Sequence, residues 1–273
     1  MKLRRPQAEL DRRYIVAPVL KALQVLQLVC EAPQPLSLND LAVMAALPKT
    51  TVFRYLHSLL AMRLVEHEAS TDRYRAGLGL WWLSHAANPY ERLRQSCRPI
   101  LKRLQQRFNE TVNLGVLSGN EVIYLDIVES ERSLRMQAKV GASDFIHSTA
   151  LGKVLLAFRP PGDRDALLPA TLVARTARTI TDRNALLRQL DAIHNAGVAV
   201  DKAENEEGSY CIAAPIRDRS GMAIAAISIS APTSRMDGSV GRSMRTSLTR
   251  ACRSASLLLL DQPTAGADPH FSR

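Results

Sequence analysis

The run PKTTVFRYLHSLLAMRLVE, residues 48–66, restricts the fold of this chain more than any other stretch. Pro48 suits a helix start, because the N–H it lacks would have no partner in a first turn. On a 3.6-residue period Val52, Leu56, Leu59 and Leu60 fall on one face, and Thr51, Arg54, Tyr55 and Ser58 fall roughly opposite. The helix predicted here buries one side. The other side offers hydroxyls, a guanidinium and a phenol.

Just upstream, SLNDLAVMA predicts a second short helix. Ser37 and Asp40 have capping-box spacing, with Asp in place of the usual Glu or Gln, and Leu38, Leu41 and Ala42 supply the buried stripe. An earlier helix spans roughly 16–31 and is stopped by Pro33 and Pro35. Its sequence follows Arg12 and Arg13 and resembles a secretory signal. However, Lys21, Gln24, Gln27 and Glu31 recur on one side, while Leu20, Leu23, Leu26 and Val29 or Cys30 line another. That is amphipathic, as a folded helix is. Downstream, Leu64–Glu66 and Arg73–Arg75 flank the turn-forming Ala69–Asp72, which predicts a hairpin. Helix, helix, tight turn, helix and hairpin make a winged helix-turn-helix. A small helical bundle unrelated to DNA would leave the Arg73/Arg75 strand and the outward Thr/Arg/Tyr face unused.

Charge points the same way. The formal net charge of +10 and pI near 9.8 favour a polyanionic partner. At 273 residues the chain supports one large or two medium domains. Cys30, Cys97, Cys211 and Cys252 are scattered, with no CxxC or Cys/His cluster, so neither a metal nor a cofactor is expected and a reducing cytoplasm is. No run of about 18 apolar residues predicts a membrane span.

Residues 78–97 predict a linker helix with Trp81 and Trp82 as packing anchors. From Pro99 a helix, ILKRLQQRFNE, precedes strands TVNLGVLSG and EVIYLDIVES joined by Gly119-Asn120, a hairpin dipeptide, with SLRMQAKVG as a further strand. Helices follow over 149–158 and 181–197, the latter closed by Gly197. VAVD, SYCIAAPIRD and AIAAISIS read as strands, and a last helix spans about 236–260. Local hairpins around a helical crossing give an α+β fold with a mainly antiparallel sheet. The expected organisation is a basic arm (1–13), a DNA-binding domain (14–77), a linker helix (78–97), a sensor domain (98–261) and a disordered tail (262–273).

Two stretches carry a family resemblance. LSLNDLAVMAALPKTTVFRYLHSLLAMRLVEHE…DRYRAGLGL resembles the IclR-type bacterial transcription regulators. So do ETVNLGVLSGNEVIYLDIVES, IHSTALGKVLLAF and GVAVDKAENEEGSYCIAAPIRDRSG, with the spacing Asp201…Glu204…Gly208…Cys211-Ile-Ala-Ala-Pro of the family signature. The resemblance runs from about Val16 to Ser230. It implies a GAF-like C-terminal domain that binds a small effector, and homodimers or dimers of dimers on double-stranded operator DNA, as repressor or activator. The chain departs from the family at Arg63, where Gly is usual after the recognition helix. Arg63 either accepts roughly 1 kcal/mol of left-handed strain or the helix ends differently.

At the DNA end, Arg54 is placed to fork onto a guanine edge, and Thr50 or Thr51 to touch a thymine methyl or a phosphate. Ser37, Lys49 and Arg73 are candidate backbone clamps, and Tyr55 is ambiguous because it can tuck beside the first helix. At the sensor end, Ser148 and Thr149 precede a helix whose first amides suit a carboxylate. Asp201, Cys211, Ser228 and Ser230 supply polar groups beside apolar walls, which describes a pocket for a small organic acid. The resemblance implies effector contacts at Thr149, Ala150, Asp201, Cys211, Ser228 and Ser230. One alternative is a metabolite sensor that binds no DNA. Another is an enzyme with Cys211 as nucleophile and Glu204, Glu206 or Glu207 as base, but no GxSxG, HExxH, P-loop or GxGxxG accompanies it. His147 and His194 stand alone, and the acidic run ENEE reads as a solvated turn closed by Gly208.

Overall fold

The computed structural model describes residues 14–86, 89–236 and 238–260, so the expected basic arm (1–13) and tail (262–273) lie outside the described residues. The chain divides into two compact units, Met1–Pro89 and Tyr90–Arg273.

The first unit contains α1 (Ala17–Glu31), β1 (Leu36–Ser37), α2 (Leu38–Ala45), α3 (Lys49–Ala61), β2 (Val65–Glu68), β3 (Arg73–Ala76) and α4 (Leu78–Ala86). Its antiparallel sheet has the order β1-β3-β2. One core joins Val25, Leu26 and Val29 of α1, Leu41 and Ala42 of α2, Val52, Leu56 and Leu59 of α3, and Val65 and Tyr74 of the hairpin. The capping box forms: Asp40 N donates to Ser37 Oγ at 3.2 Å, and Ser37 N donates to Asp40 Oδ2 at 3.1 Å. The bonds from Ser37 hold the Asp40 carboxyl below its usual range.

Two expectations for this unit need correction. The buried stripe of α1 occupies only its second half, where Val25, Leu26 and Val29 meet α2 and α3, and Val19, Leu20 and Leu23 are exposed. Trp81 and Trp82 are also exposed, at 61% and 64%, so they anchor no core in this unit.

Arg63 adopts the left-handed conformation, φ +56°, for which the resemblance leads one to expect Gly. Leu64 N donates to Leu59 O and Arg63 N to Leu60 O, both at 2.9 Å, which closes α3 with a Schellman motif. The strain is held in place from outside the helix. Gly79 N donates to Arg63 O at 2.8 Å, and a Cβ on Gly77 or Gly79 would sit 2.4 or 2.6 Å from that same oxygen.

α5 (Pro89–Phe108) leads into the second unit, so the expected 78–97 linker is two helices, and its residues 90–97 belong with the sensor core. Leu93, Cys97, Ile100, Leu101 and Leu104 are buried, at positions i, i+4, i+7, i+8 and i+11. Five such side chains stabilise by roughly 1.5–3 kcal/mol each, against about 3 kcal/mol for a proline inside a helix. The helix therefore runs through Pro99.

There follow β4 (Thr111–Ser118), β5 (Glu121–Val128), β6 (Ser143–Phe145), α6 (Ala150–Ala157), α7 (Pro161–Leu167), α8 (Arg183–Ala196), β7 (Ala199–Lys202), β8 (Ser209–Arg217), β9 (Ala223–Pro232) and α9 (Gly238–Leu260). The sheet order is β6-β5-β4-β9-β8-β7, with every neighbouring pair antiparallel. One face carries Val112, Leu114, Ile212, Ile227 and Ile229 under α5 and α9, and the other carries Ala199, Ala213 and Ala226 under α6 and α8. The expected strand over 133–141 is absent. Its backbone groups meet scattered partners instead, Met136 O accepting from Thr111 Oγ1, Leu134 O from Arg235, and Gly141 N donating to Tyr124 O beside a return bond from Tyr124 N to Ala142 O, while the outer edge of β5 pairs with β6.

Candidate functional site

The exposed face of α3 is built by what its other face buries. With Val52, Leu56 and Leu59 fixed in the core, Lys49, Thr50, Phe53, Arg54, His57 and Ser58 project outward. Pro48 gives α3 no side-chain cap, so first-turn amides stay open to an anion. Arg54 forms no ion pair among the described residues. Thr51 is half-buried, and Tyr55 is half-buried with its ring packed against the core. Ser37 gives its hydroxyl hydrogen to Asp40 Oδ2 at 2.7 Å and its backbone N–H to the same oxygen at 3.1 Å, so both of its donors are taken by the cap. Arg73 is exposed on the hairpin, and one guanidinium nitrogen donates to Pro35 O at 2.9 Å, tying β3 to the strand before α2. Arg75 is occupied by Glu66 through two nitrogens, at 2.9 and 3.1 Å.

The sequence reading passed over Phe53 and His57. Phe53 is 44% exposed, with its ring centroid 4.1 Å from that of His57, whose Nδ1 lies 3.2 Å from Phe53 O. A count of outward positions at i, i+3, i+4 and i+7 from Thr50 would have found both.

In the second unit the strand residues expected to contact an effector meet on one face of the sheet. Asp201, Cys211, Ser230 and Thr111 are successive cross-strand partners on β7, β8, β9 and β4, and Ala213, Ser228 and Asn113 form the next row on that face. α6 lies above, with Leu151 Cδ1 3.0 Å from where a Cβ on Gly115 would stand. Thr149 caps α6: its Oγ1 accepts from Gly152 N at 3.0 Å and donates to Phe145 O at 2.7 Å. That hydroxyl is committed. The amides of Ala150 and Leu151, at the first two helical positions, have no intrahelical carbonyl to meet.

Around this face runs a polar network. Tyr124 donates to Asp144 Oδ2 at 3.2 Å, Asn205 Nδ2 donates to the same oxygen at 3.0 Å, and Ser148 donates to Asn205 Oδ1 at 2.7 Å. Asp201 Oδ1 accepts from Glu204 N at 2.6 Å and from Asn205 N at 3.4 Å. Burial pushes the Asp201 carboxyl up to about 6, although those amides and Lys153 pull it down. Cys211 is half-buried by area, and desolvation followed by the Asp201 charge pushes its thiol well up, which disfavours a thiolate nucleophile. His147 Nε2 bonds to Val173 O and His194 Nδ1 to Ala157 O, each at 3.0 Å.

The acidic run is corrected. Glu204 is 7% exposed, and its Oε1 accepts from Lys153 Nζ at 2.6 Å; Lys153 is fully buried on α6 and also donates to Val200 O at 2.7 Å. An ammonium in a helix interior needs a carboxylate, and the turn supplies it. Only Glu206 and Glu207 of the run face solvent.

Comparison with known proteins agrees with both halves. Residues 18–69 match the IclR helix-turn-helix domain, and residues 87–257 match the bacterial transcriptional regulator IclR C-terminal domain. The transcriptional regulator KdgR of Escherichia coli K12 is 35% identical over 84% of this chain and 87% of its own length. XynR of the same strain is 31% identical over 87% and 94%. The crystal structure of the Thermotoga maritima IclR superposes with a TM-score of 0.76 at 28% identity, covering 90% of this chain and 99% of the other. An IclR homolog from Microbacterium hydrocarbonoxydans, crystallised with 4-hydroxybenzoate, gives 0.76 at 28% identity over 88% and 98%.

Proposed function

The chain belongs to the IclR family of bacterial transcriptional regulators, and from that membership we propose which residues do its work. It is a DNA-binding transcription regulator with an effector-binding C-terminal domain. α3 enters the major groove, Arg54 reads a guanine edge, and Lys49, Thr50 and the hairpin's Arg73 grip phosphates. The observation that carries this reading is the polar, cationic face of α3, presented by a helix whose opposite face is locked in the core.

The effector is a small organic acid. Its carboxylate sits at the Ala150 and Leu151 amides, and its remainder lies over Asp201, Cys211, Ser228 and Ser230. The 4-hydroxybenzoate held by the Microbacterium homolog supports that ligand class. The chain works as a homodimer or dimer of dimers in the cytoplasm, without catalysis. Val19, Leu20 and Leu23 of α1 and Trp82 and Leu83 of α4 leave apolar surface for a second copy. No described helix is long and apolar enough to cross a membrane. The effector shifts operator affinity only by binding the DNA-competent and DNA-incompetent arrangements unequally.

The test is fluorescence anisotropy on duplexes selected from fragmented genomic DNA, between 50 and 200 mM salt, with and without a panel of carboxylates. Phosphate neutralisation at several sites lowers affinity by about a hundredfold or more over that range. A flat salt response would remove the DNA reading, and carboxylates that leave affinity unchanged would remove the effector reading.

A further inference from the structure

Asn113 stands in the middle of the sheet, on the face that carries α6, and the residue is 4% exposed. Its Nδ2 donates to Ser228 Oγ and to Ser230 Oγ, each at 3.2 Å. Its Oδ1 has no partner among the described residues. A buried amide oxygen left unpaired is costly, and native proteins keep few of them. The serines sharpen the point. Each Oγ accepts an Asn113 N–H and so retains its own hydrogen to give. Ser230 faces Cys211 as its cross-strand partner, and the Ser228 hydroxyl hydrogen meets no acceptor among the described residues. Asn113 and Ser228 therefore present one open acceptor beside one open donor, both walled from solvent.

A hydroxyl answers both, because it donates one hydrogen and accepts another. An ammonium can only donate, and a methyl or ether cannot donate at all. Asn113 and the Gly115 position that α6 rests on share one face of the sheet. Asn113 is two residues along β4 from Gly115, on which Leu151 of α6 rests, and that step is roughly 7 Å.

We propose that Asn113 is the residue that selects the effector, and that the effector is a hydroxylated carboxylic acid whose hydroxyl donates to Asn113 Oδ1 while accepting from Ser228. This rests on the carboxylate reading of the same site. Asn113 thereby sets which acids are rejected, since the unsubstituted acid would leave the amide oxygen buried and unpaired.

The experiment titrates the full chain by calorimetry with acids in matched threes: glycolate, acetate and methoxyacetate; lactate, propionate and 2-methoxypropanoate; 3-hydroxybenzoate, benzoate and 3-methoxybenzoate. In at least one set the hydroxy acid binds roughly tenfold or more tighter than both companions. In Asn113→Ala that ratio collapses to within about threefold, while the affinity for the plain acid is unchanged or higher. A side chain that merely supported the sheet would weaken all three acids together. The three-way comparison on the unaltered protein keeps the proposal testable should Asn113→Ala fold poorly. Companions that bind as tightly as their hydroxy acid overturn the role of Asn113 and leave the carboxylate reading standing. No binding by any acid overturns both.

Discussion

The carbonyl oxygen of Arg63 accepts the amide hydrogen of Gly79 at 2.8 Å, so the left-handed residue that closes α3 is clasped by the turn that opens α4. The close approach depends on two missing side chains. Gly77→Ala or Gly79→Ala would drive a Cβ against the Arg63 carbonyl, and each is expected to destabilise the first unit by about 1–3 kcal/mol. Arg63→Gly is expected to stabilise it by about 1 kcal/mol by relieving the left-handed strain. Denaturant unfolding followed by the fluorescence of Trp81 and Trp82 reads all three, and an alanine at 77 or 79 without effect would contradict the clasp.

On DNA, Arg54→Ala and Arg73→Ala should part company. The first loses about 1–3 kcal/mol of discrimination at one base pair, and the second weakens all sequences alike and lowers the salt slope by about 1. Competition binding against single-base variants of a selected duplex separates them. Equal losses on every duplex would show that Arg54 reads no base.

Asp201 gives a pH signature. Its carboxyl titrates near 6 when folded, against an ordinary 3.8, so the native state keeps the proton longer than the unfolded chain does. The unfolded state then binds fewer protons between those values, and this group's contribution falls as pH rises from about 4 to about 6, by roughly 3 kcal/mol. Asp201→Asn keeps the acceptor for the Glu204 amide and removes the charge. Its stability relative to the unaltered protein should climb across pH 4–7 and then level. A difference constant over that range would refute the assignment.

Lys153→Ala removes one half of a buried ion pair and leaves Glu204 uncompensated, which costs about 3–5 kcal/mol in the unfolding of the second unit. Lys153→Met combined with Glu204→Gln should recover most of that loss, since neither position then holds a bare charge. A double variant no better than the single one would mean that packing, rather than charge, holds α6 in place.

What the sequence made legible is what short-range chemistry decides. The Ser37–Asp40 cap, the buried face of α3, the turn at Gly119 and the Gly197 terminus each involve residues within a few positions, and each formed where its pattern lies. Features that depend on distant partners were misread or missed. Glu204 looked solvated because Lys153 lies far away in sequence. The run 133–141 alternates like a strand, yet β6 occupies the edge it would have paired with. Asn113 passed unnoticed inside an apolar run, since only the register of β4 against β9 sets it on Ser228 and Ser230.

Swinging the turn at Glu204 outward would abandon an ammonium in the protein interior. At 3–5 kcal/mol that happens in roughly one molecule among hundreds to thousands. This turn is thus a wall and makes a poor door. The coil 133–142 is tied differently, by Thr111 Oγ1 on Met136 O, Arg235 on Leu134 O, a two-way backbone bond between Tyr124 and Gly141 and Ala142, and the half-exposed Arg135–Glu129 pair, none of which strands a buried charge if the coil shifts.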